Sequence, residues 1–212
     1  MPLFTDGEIR VYKTLCGPFD NNAYLLVCTR TGESIIIDAP AEPAQVLEEA
    51  KGTNVRAILI THNHGDHLAG LEEMVAATGA VVYAHAADAD RLPLPAGHLV
   101  EDGEVITAGS IELRVIYTPG HTPGSTSYVL GNHLFSGDTL FPGGPGRSRT
   151  PDHLRQIIEN ITGKLFTLPD DTFLLPGHGA DGVLGKSKED YRVFAGRSHS
   201  PDLCGDVTWL ES

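Results

Sequence analysis

The chain is short of basic residues, short of cysteine and without any long apolar run. Against 28 Asp and Glu it carries only 15 Lys and Arg, a formal charge of -13. Nucleic-acid affinity rests on neutralising phosphates with Lys and Arg, so RNA and DNA are not expected as partners. The three cysteines, Cys16, Cys28 and Cys204, are odd in number and scattered, with neither a C-x-x-C pair nor a disulfide-rich density. No apolar stretch approaches the length that crosses a bilayer. The opening MPLFTDGEIRVYK lacks both the basic start with an apolar run and the small-residue cleavage site of a signal peptide. Together these absences predict a cytoplasmic protein with no membrane partner. A G-x-S-x-G nucleophile elbow is also missing, so serine catalysis of that type is not expected. With 212 residues, 41% of them hydrophobic, the expectation is one domain spanning residues 1–212.

What the chain does have is concentrated. Thr61-His62-Asn63-His64-Gly65-Asp66-His67 puts three imidazoles and a carboxylate within six positions, directly after an apolar run. Packing does not ask for this, because crowding such groups without a cation desolvates them at a cost in free energy. Neutral imidazole nitrogens and carboxylate oxygens are the donors that hold zinc, iron or manganese. The loop therefore predicts a metal site, and its four donors suffice to touch two ions.

Strands are predicted over 9–15, 22–28, 34–38, 56–61, 80–84, 111–117, 126–130, 133–136 and 172–175, from runs rich in Ile, Val, Leu and Tyr. Helices are predicted over 42–51, 68–78, 86–91, 151–161 and 187–195. The fourth carries a start signal: Thr150 as cap, Pro151 in the first turn and Asp152 facing the helix dipole. Recurring strands and helices imply helices covering sheets. Asp38, the His62 loop, His121, Asp138 and His178 each sit just beyond a predicted strand. Strand ends gathered at one sheet edge would bring them into a common cleft. His85, His98, His133, His153 and His199 lack such company and are read as ordinary histidines.

The spacing H-x-H-x-D-H, followed by Thr118-Pro119-Gly120-His121-Thr122-Pro123-Gly124-Ser125, Ser136-Gly137-Asp138-Thr139-Leu140-Phe141 and Pro176-Gly177-His178-Gly179, resembles the metallo-β-lactamase superfamily along nearly the whole chain. The resemblance implies an α+β fold, a four-layer αβ/βα sandwich of two mixed β-sheets flanked by helices, with metals at one edge. Carried over, it implies a first metal on His62, His64 and His121, a second on Asp66, His67 and His178, and Asp138 bridging both. Asp38 would match the family's acid that orients ligands from behind. Asp20-Asn21-Asn22-Ala23-Tyr24-Leu25 and the stretch from Gly137 to Gly146 resemble glyoxalase II (hydroxyacylglutathione hydrolase) and its short relatives. The family's basic residue after the Gly-rich turn is matched by Arg147, whereas its aromatic two places later is here Arg149.

The chemistry this implies is hydrolysis by a metal-bridged hydroxide. Two divalent ions about 3.5–4 Å apart share a water and lower its pKa towards neutrality. Zinc is the expected metal, with iron or manganese as alternatives. A thioester suits the site because a thiolate leaves with little need for protonation. Asp66 and Asp138 are the expected catalytic carboxylates, Asp66 by orienting the nucleophile. Arg147 and Arg149 are expected to clamp an anionic group, making the partner a small acidic thioester. Other readings stand beside this one: a persulfide dioxygenase with a single iron, a lactone or lactam hydrolase, and a scaffold that keeps its metals only for folding.

Overall fold

The computed structural model describes residues 1–212. Its first sheet has seven strands in chain order: β1 (Phe4–Asp6), β2 (Ile9–Cys16), β3 (Asn21–Cys28), β4 (Glu33–Ile37), β5 (Asn54–Leu59), β6 (Val81–His85) and β7 (His98–Val100). Pairing is antiparallel from β1 to β4 and parallel from β4 to β7. The second sheet contains β8 (Val105–Ala108), β9 (Ile111–Tyr117), β10 (Thr126–Leu130) and β11 (His133–Gly137). A ribbon, β12 (Leu140–Phe141) with β13 (Gly144–Pro145), follows, and β14 (Phe173–Pro176) and β15 (Gly182–Val183) complete the second sheet in the order β15-β14-β11-β10-β9-β8. All its pairs are antiparallel except β11 with β14.

The side-chain alternation of the strands explains the layering. Tyr24, Leu26, Ile35, Ile37, Ala57 and Leu59 from the first sheet meet Leu113, Val115, Tyr128, Phe135 and Leu175 from the second in one buried core. The intervening residues Leu25, Ile36 and Ile58 face outward, where α1 (Ala44–Ala50) and α2 (Leu71–Thr78) cover them. On the far side Ile116, Val129, Leu134 and Leu174 lie beneath α4 (Pro151–Gly163) and α5 (Leu184–Ala195). The short α3 (Ala86–Ala89) follows β6. Both central sheets are buried on two faces, which is why their strands read as continuous apolar runs rather than as alternating ones. The result is the expected αβ/βα sandwich with two mixed sheets.

Strand direction decides where the polar residues gather. Because β4, β5 and β6 are parallel, Asp38, the His62 loop and α3 leave the first sheet at one edge. In the second sheet β9 is antiparallel to β10, and β10 to β11, so β9 and β11 run the same way as β14. His121, Asp138 and His178 therefore also leave at a common edge. The start of β3, antiparallel to β4, brings Asn21 to that edge as well.

Thr150 caps α4 as predicted, its hydroxyl accepting from His153 N at 3.2 Å. The predicted helix at 68–78 begins later, at Leu71, after a 3-10 turn over Gly65–His67 that carries two of the loop donors. Six short strands, β1, β7, β8, β12, β13 and β15, lie outside the predicted set; at two to four residues each they carry too little pattern to be read. No helix is long and apolar enough to cross a membrane.

Candidate metal centre

The sandwich edge brings together all seven predicted donors in three overlapping groups: His62, His64 and His121; His62, His67 and Asp138; and Asp66, His67 and His178. Within each group the donor atoms lie within 4.8 Å of one another. Asp138 stands between the halves, with one carboxylate oxygen 3.5 Å from His67 Nε2 and the other 3.7 Å from His121 Nε2 and 3.5 Å from His178 Nε2.

The outer nitrogens of four of the five donor histidines are already committed, and this fixes what the inner ones offer. His67 Nδ1 donates to Asp38 Oδ2 at 2.8 Å, His121 Nδ1 to the Arg147 carbonyl at 2.9 Å, and His178 Nδ1 to the Phe19 carbonyl at 3.0 Å. Thr61 Oγ1 donates its single proton to Asp38 Oδ2, so at His62 it accepts from Nδ1 at 3.0 Å. Each of these rings, when neutral, turns an unprotonated Nε2 towards the centre. His62 Nε2 and Asp138 Oδ1 are buried without a hydrogen-bond partner, and Nε2 of His67 faces Nε2 of His178 at 3.1 Å. Lone pairs turned on one another in a buried site repel unless a cation lies among them. The donor set therefore fits divalent ions.

The titration tendencies of these close-packed donors run in both directions. Burial opposes a charge on His67, yet Asp38 and Asp138 beside it push its imidazole well above the usual range. His62 is held well below that range by burial and by the neighbouring imidazoles. The His178 imidazole, whose Nε2 lies 3.1 Å away and donates when the ring is protonated, holds the Asp66 carboxyl far below the ordinary value, against the opposing effect of burial.

Behind the donors stand Asp38, where the family resemblance puts an orienting acid, and further supports that were not legible in the sequence. Asp38 adopts a left-handed backbone, φ 61°, and its buried carboxylate accepts from Thr61 N, Thr61 Oγ1 and His67 Nδ1, all at 2.8 Å. Asn21 Nδ2 donates to Asp66 Oδ2 at 2.9 Å. Asn22 Nδ2 and the Tyr24 hydroxyl both donate to the Pro176 carbonyl at 2.8 Å, pinning the turn that carries His178. Gly177 is required there, since a Cβ would stand 2.3 Å from Asp138 Oδ1 and 2.7 Å from His67 Cε1. The opening Asp20-Asn21-Asn22 was the available signal, through family likeness alone.

Beside the donors lies a cleft of about 480 Å³ lined by His64, His121, Arg147, Ser148, Arg149, Cys204 and Gly205. The C-terminal tail forms one wall, tied by paired 3.0 Å backbone hydrogen bonds between Ser148 and Gly205 and anchored by the fully buried Trp209. The two predicted clamp residues differ. Arg147 lies 3.8 Å from Asp206, whereas Arg149 is exposed and makes no ion pair or hydrogen bond. His85 stays outside the donor set, capping α3 and stacking on Tyr117.

Residues 16–178 match the family model of the metallo-beta-lactamase superfamily. The chain belongs to the metallo-β-lactamase superfamily. Among curated members it is 40% identical over 164 residues to a hydroxyacylglutathione hydrolase of Cereibacter sphaeroides, a match covering 75% of this chain and 62% of that protein. The chain thus spans about three-fifths of the length of that relative. Among solved structures of the superfamily, ETHE1 from Myxococcus xanthus superposes with a TM-score of 0.78 at 28% identity, covering 89% of this chain and 85% of its own. TTHA1623, crystallised in a di-iron-bound form, superposes with a TM-score of 0.70 at 28% identity over 84% of this chain and 96% of its own.

Proposed function

We propose that this protein is a metal-dependent hydrolase of a small acidic thioester, of the hydroxyacylglutathione hydrolase type. Two divalent ions, zinc in the first instance, would be held by His62, His64 and His121 on one side and by Asp66, His67 and His178 on the other, with Asp138 shared. The observation that carries this reading is the convergence of seven donors with inward lone pairs next to a cleft walled by arginines. Ions bound there supply Lewis acidity towards a carbonyl oxygen and lower the pKa of water.

The chain's own residues supply the rest. Asp66 has a depressed pKa and is therefore a weak base, so its part is to accept a hydrogen bond and orient the attacking water. Asn21 fixes the rotamer of that carboxylate. Arg149, free of partners, is placed to pair with a carboxylate on the substrate, and positive charge at this mouth draws an anion to an otherwise acidic protein. A thiolate leaves without a general acid, which suits a cleft lined by arginines rather than by a carboxylic acid. The buried Trp209 and the Ser148–Gly205 tie favour treating residues 1–212 as one domain, the tail being part of the site's wall.

The test joins elemental analysis of the purified protein to two assays: thiol release from a hydroxyacylglutathione, and oxygen uptake with a persulfide. About two zinc ions with thiol release are expected. One iron with oxygen uptake would overturn the proposal in favour of a dioxygenase.

A further inference from the structure

Asp88, in the short α3, is 1% exposed and forms no ion pair, yet its carboxylate takes three hydrogen bonds from residues close to His62, His64 and His121 in two separate loops. Oδ2 accepts from Asn63 N at 3.0 Å and from Thr122 Oγ1 at 2.6 Å; Oδ1 accepts from Gly124 N at 2.8 Å. Asn63 lies between His62 and His64, and Thr122 follows His121. The fit around the carboxylate is close, because a Cβ at Gly124 would stand 2.5 Å from Asp88 Cγ.

A buried carboxylate without a cationic partner is costly, and a backbone turn would satisfy two N–H groups more cheaply. Here the one carboxyl group reaches across both loops. We infer that Asp88 is a positioning residue that sets the spacing of His62 and His64 against His121, and so tunes metal affinity in that half of the site. Asp38 holds His67 of the other half directly and reaches His62 only through Thr61, so the two buried carboxylates act mainly on different halves. This inference rests on the ligand assignment proposed above.

The test uses the full chain stripped of metal and titrated with zinc against a chromophoric chelator, giving the number of ions and each affinity, with the melting temperature of the metal-free protein measured alongside. Outer ligand supports typically change affinity about 10–100-fold. Thr122→Val, which removes one of the three bonds together with the 2.9 Å contact of the same hydroxyl to Ser125 Oγ, should weaken one ion about tenfold and leave the other unchanged, with Thr122→Ser restoring it. Asp88→Asn, which sets an amide donor against N–H donors, should weaken the same ion by more. The His178→Ala background identifies that ion, since the one remaining there belongs to His62, His64 and His121 and should still respond to Thr122→Val. Should Asp88→Asn fail to fold, Thr122→Val and Thr122→Ser carry the test alone. Two ions in the unmodified chain, with both affinities unmoved or lowered alike by Thr122→Val, would overturn the inference alone, whatever happens to the metal-free melting temperature. Fewer than two ions in the unmodified chain would overturn the ligand assignment and this inference together.

Discussion

His67 Nδ1 lies 2.8 Å from Asp38 Oδ2, and both side chains are sealed from solvent. The contact fixes the ring so that its Nε2 faces the centre, and the carboxylate makes that nitrogen a better donor. Asp38 holds a left-handed backbone that Asn also tolerates, so Asp38→Asn removes the charge and one acceptor oxygen without straining the backbone. Metal affinity is expected to fall about 10–100-fold, as read by chelator competition, with the far-ultraviolet circular dichroism retained. Unchanged affinity would mean that Asp38 serves folding alone.

Gly177 offers a steric test of the same centre. The added methyl of Gly177→Ala would overlap Asp138 Oδ1 and the edge of the His67 ring, while the strand before it is buried among well-packed apolar residues. The donors, as side-chain ends, should yield before the sheet does. The variant is therefore expected to fold, with a melting temperature within a few degrees of its parent when both are metal-free, but to purify with less than half of the parent's metal. A fully loaded Gly177→Ala protein would show that Asp138 and His67 do not meet at the ion.

How far the sequence reaches is clear from these same residues. His62, His64, Asp66 and His67 were legible because ligand chemistry imposes a local spacing that packing never requests. His121, Asp138 and His178 were legible as polar residues after strands, though their convergence depends on strand direction, which no short pattern encodes. Asn21, Thr61 and Asp88 were not legible as supports, because a single Asn, Thr or Asp at a strand or helix end is common and its partner is distant in the chain: Asp88 reaches Gly124 across 36 positions. The central strands were found and the edge strands were not, since strands buried on both faces leave long apolar runs while two- to four-residue edges do not.

The two arginines expected to act alike should separate in kinetics. Arg147 is within ion-pair distance of Asp206, whereas Arg149 has no partner and shares the cleft with His64 and His121. Exposed pairs such as that of Arg147 are worth at most about 1 kcal/mol, but they divert the guanidinium from a ligand. Arg149→Ala is expected to raise KM for a carboxylate-bearing thioester about tenfold, a loss of about 1.4 kcal/mol, with kcat changed much less. Arg147→Ala should raise it by a smaller factor. A neutral thioester should show neither effect, and equal KM values for charged and neutral substrates in the parent enzyme would remove the clamp.

Cys204 provides a probe of whether substrate enters by this cleft. It is the only exposed cysteine; Cys28 is shielded by complete burial, although hydrogen bonds from Thr31 and Ser110 outweigh burial and pull its thiol down to about 6, and the Cys16 thiol is pushed up to about 11 by burial, with Glu42 and Glu49 adding to the effect. The thiolate is the reactive form, so at pH 8 Cys16 is almost wholly protonated as well as shielded. A thiol reagent should therefore label one group rapidly in the native protein and three after denaturation. Because Cys204 shares the cleft wall with Arg147, Arg149 and the His64–His121 pair, a bulky label there should obstruct the approach to the metal donors and cut kcat/KM several-fold. The reagent should leave whatever activity Cys204→Ser possesses untouched. If labelling Cys204 to completion left kcat/KM unchanged, the substrate would have to reach the centre from the opposite side, past Phe19 and His178.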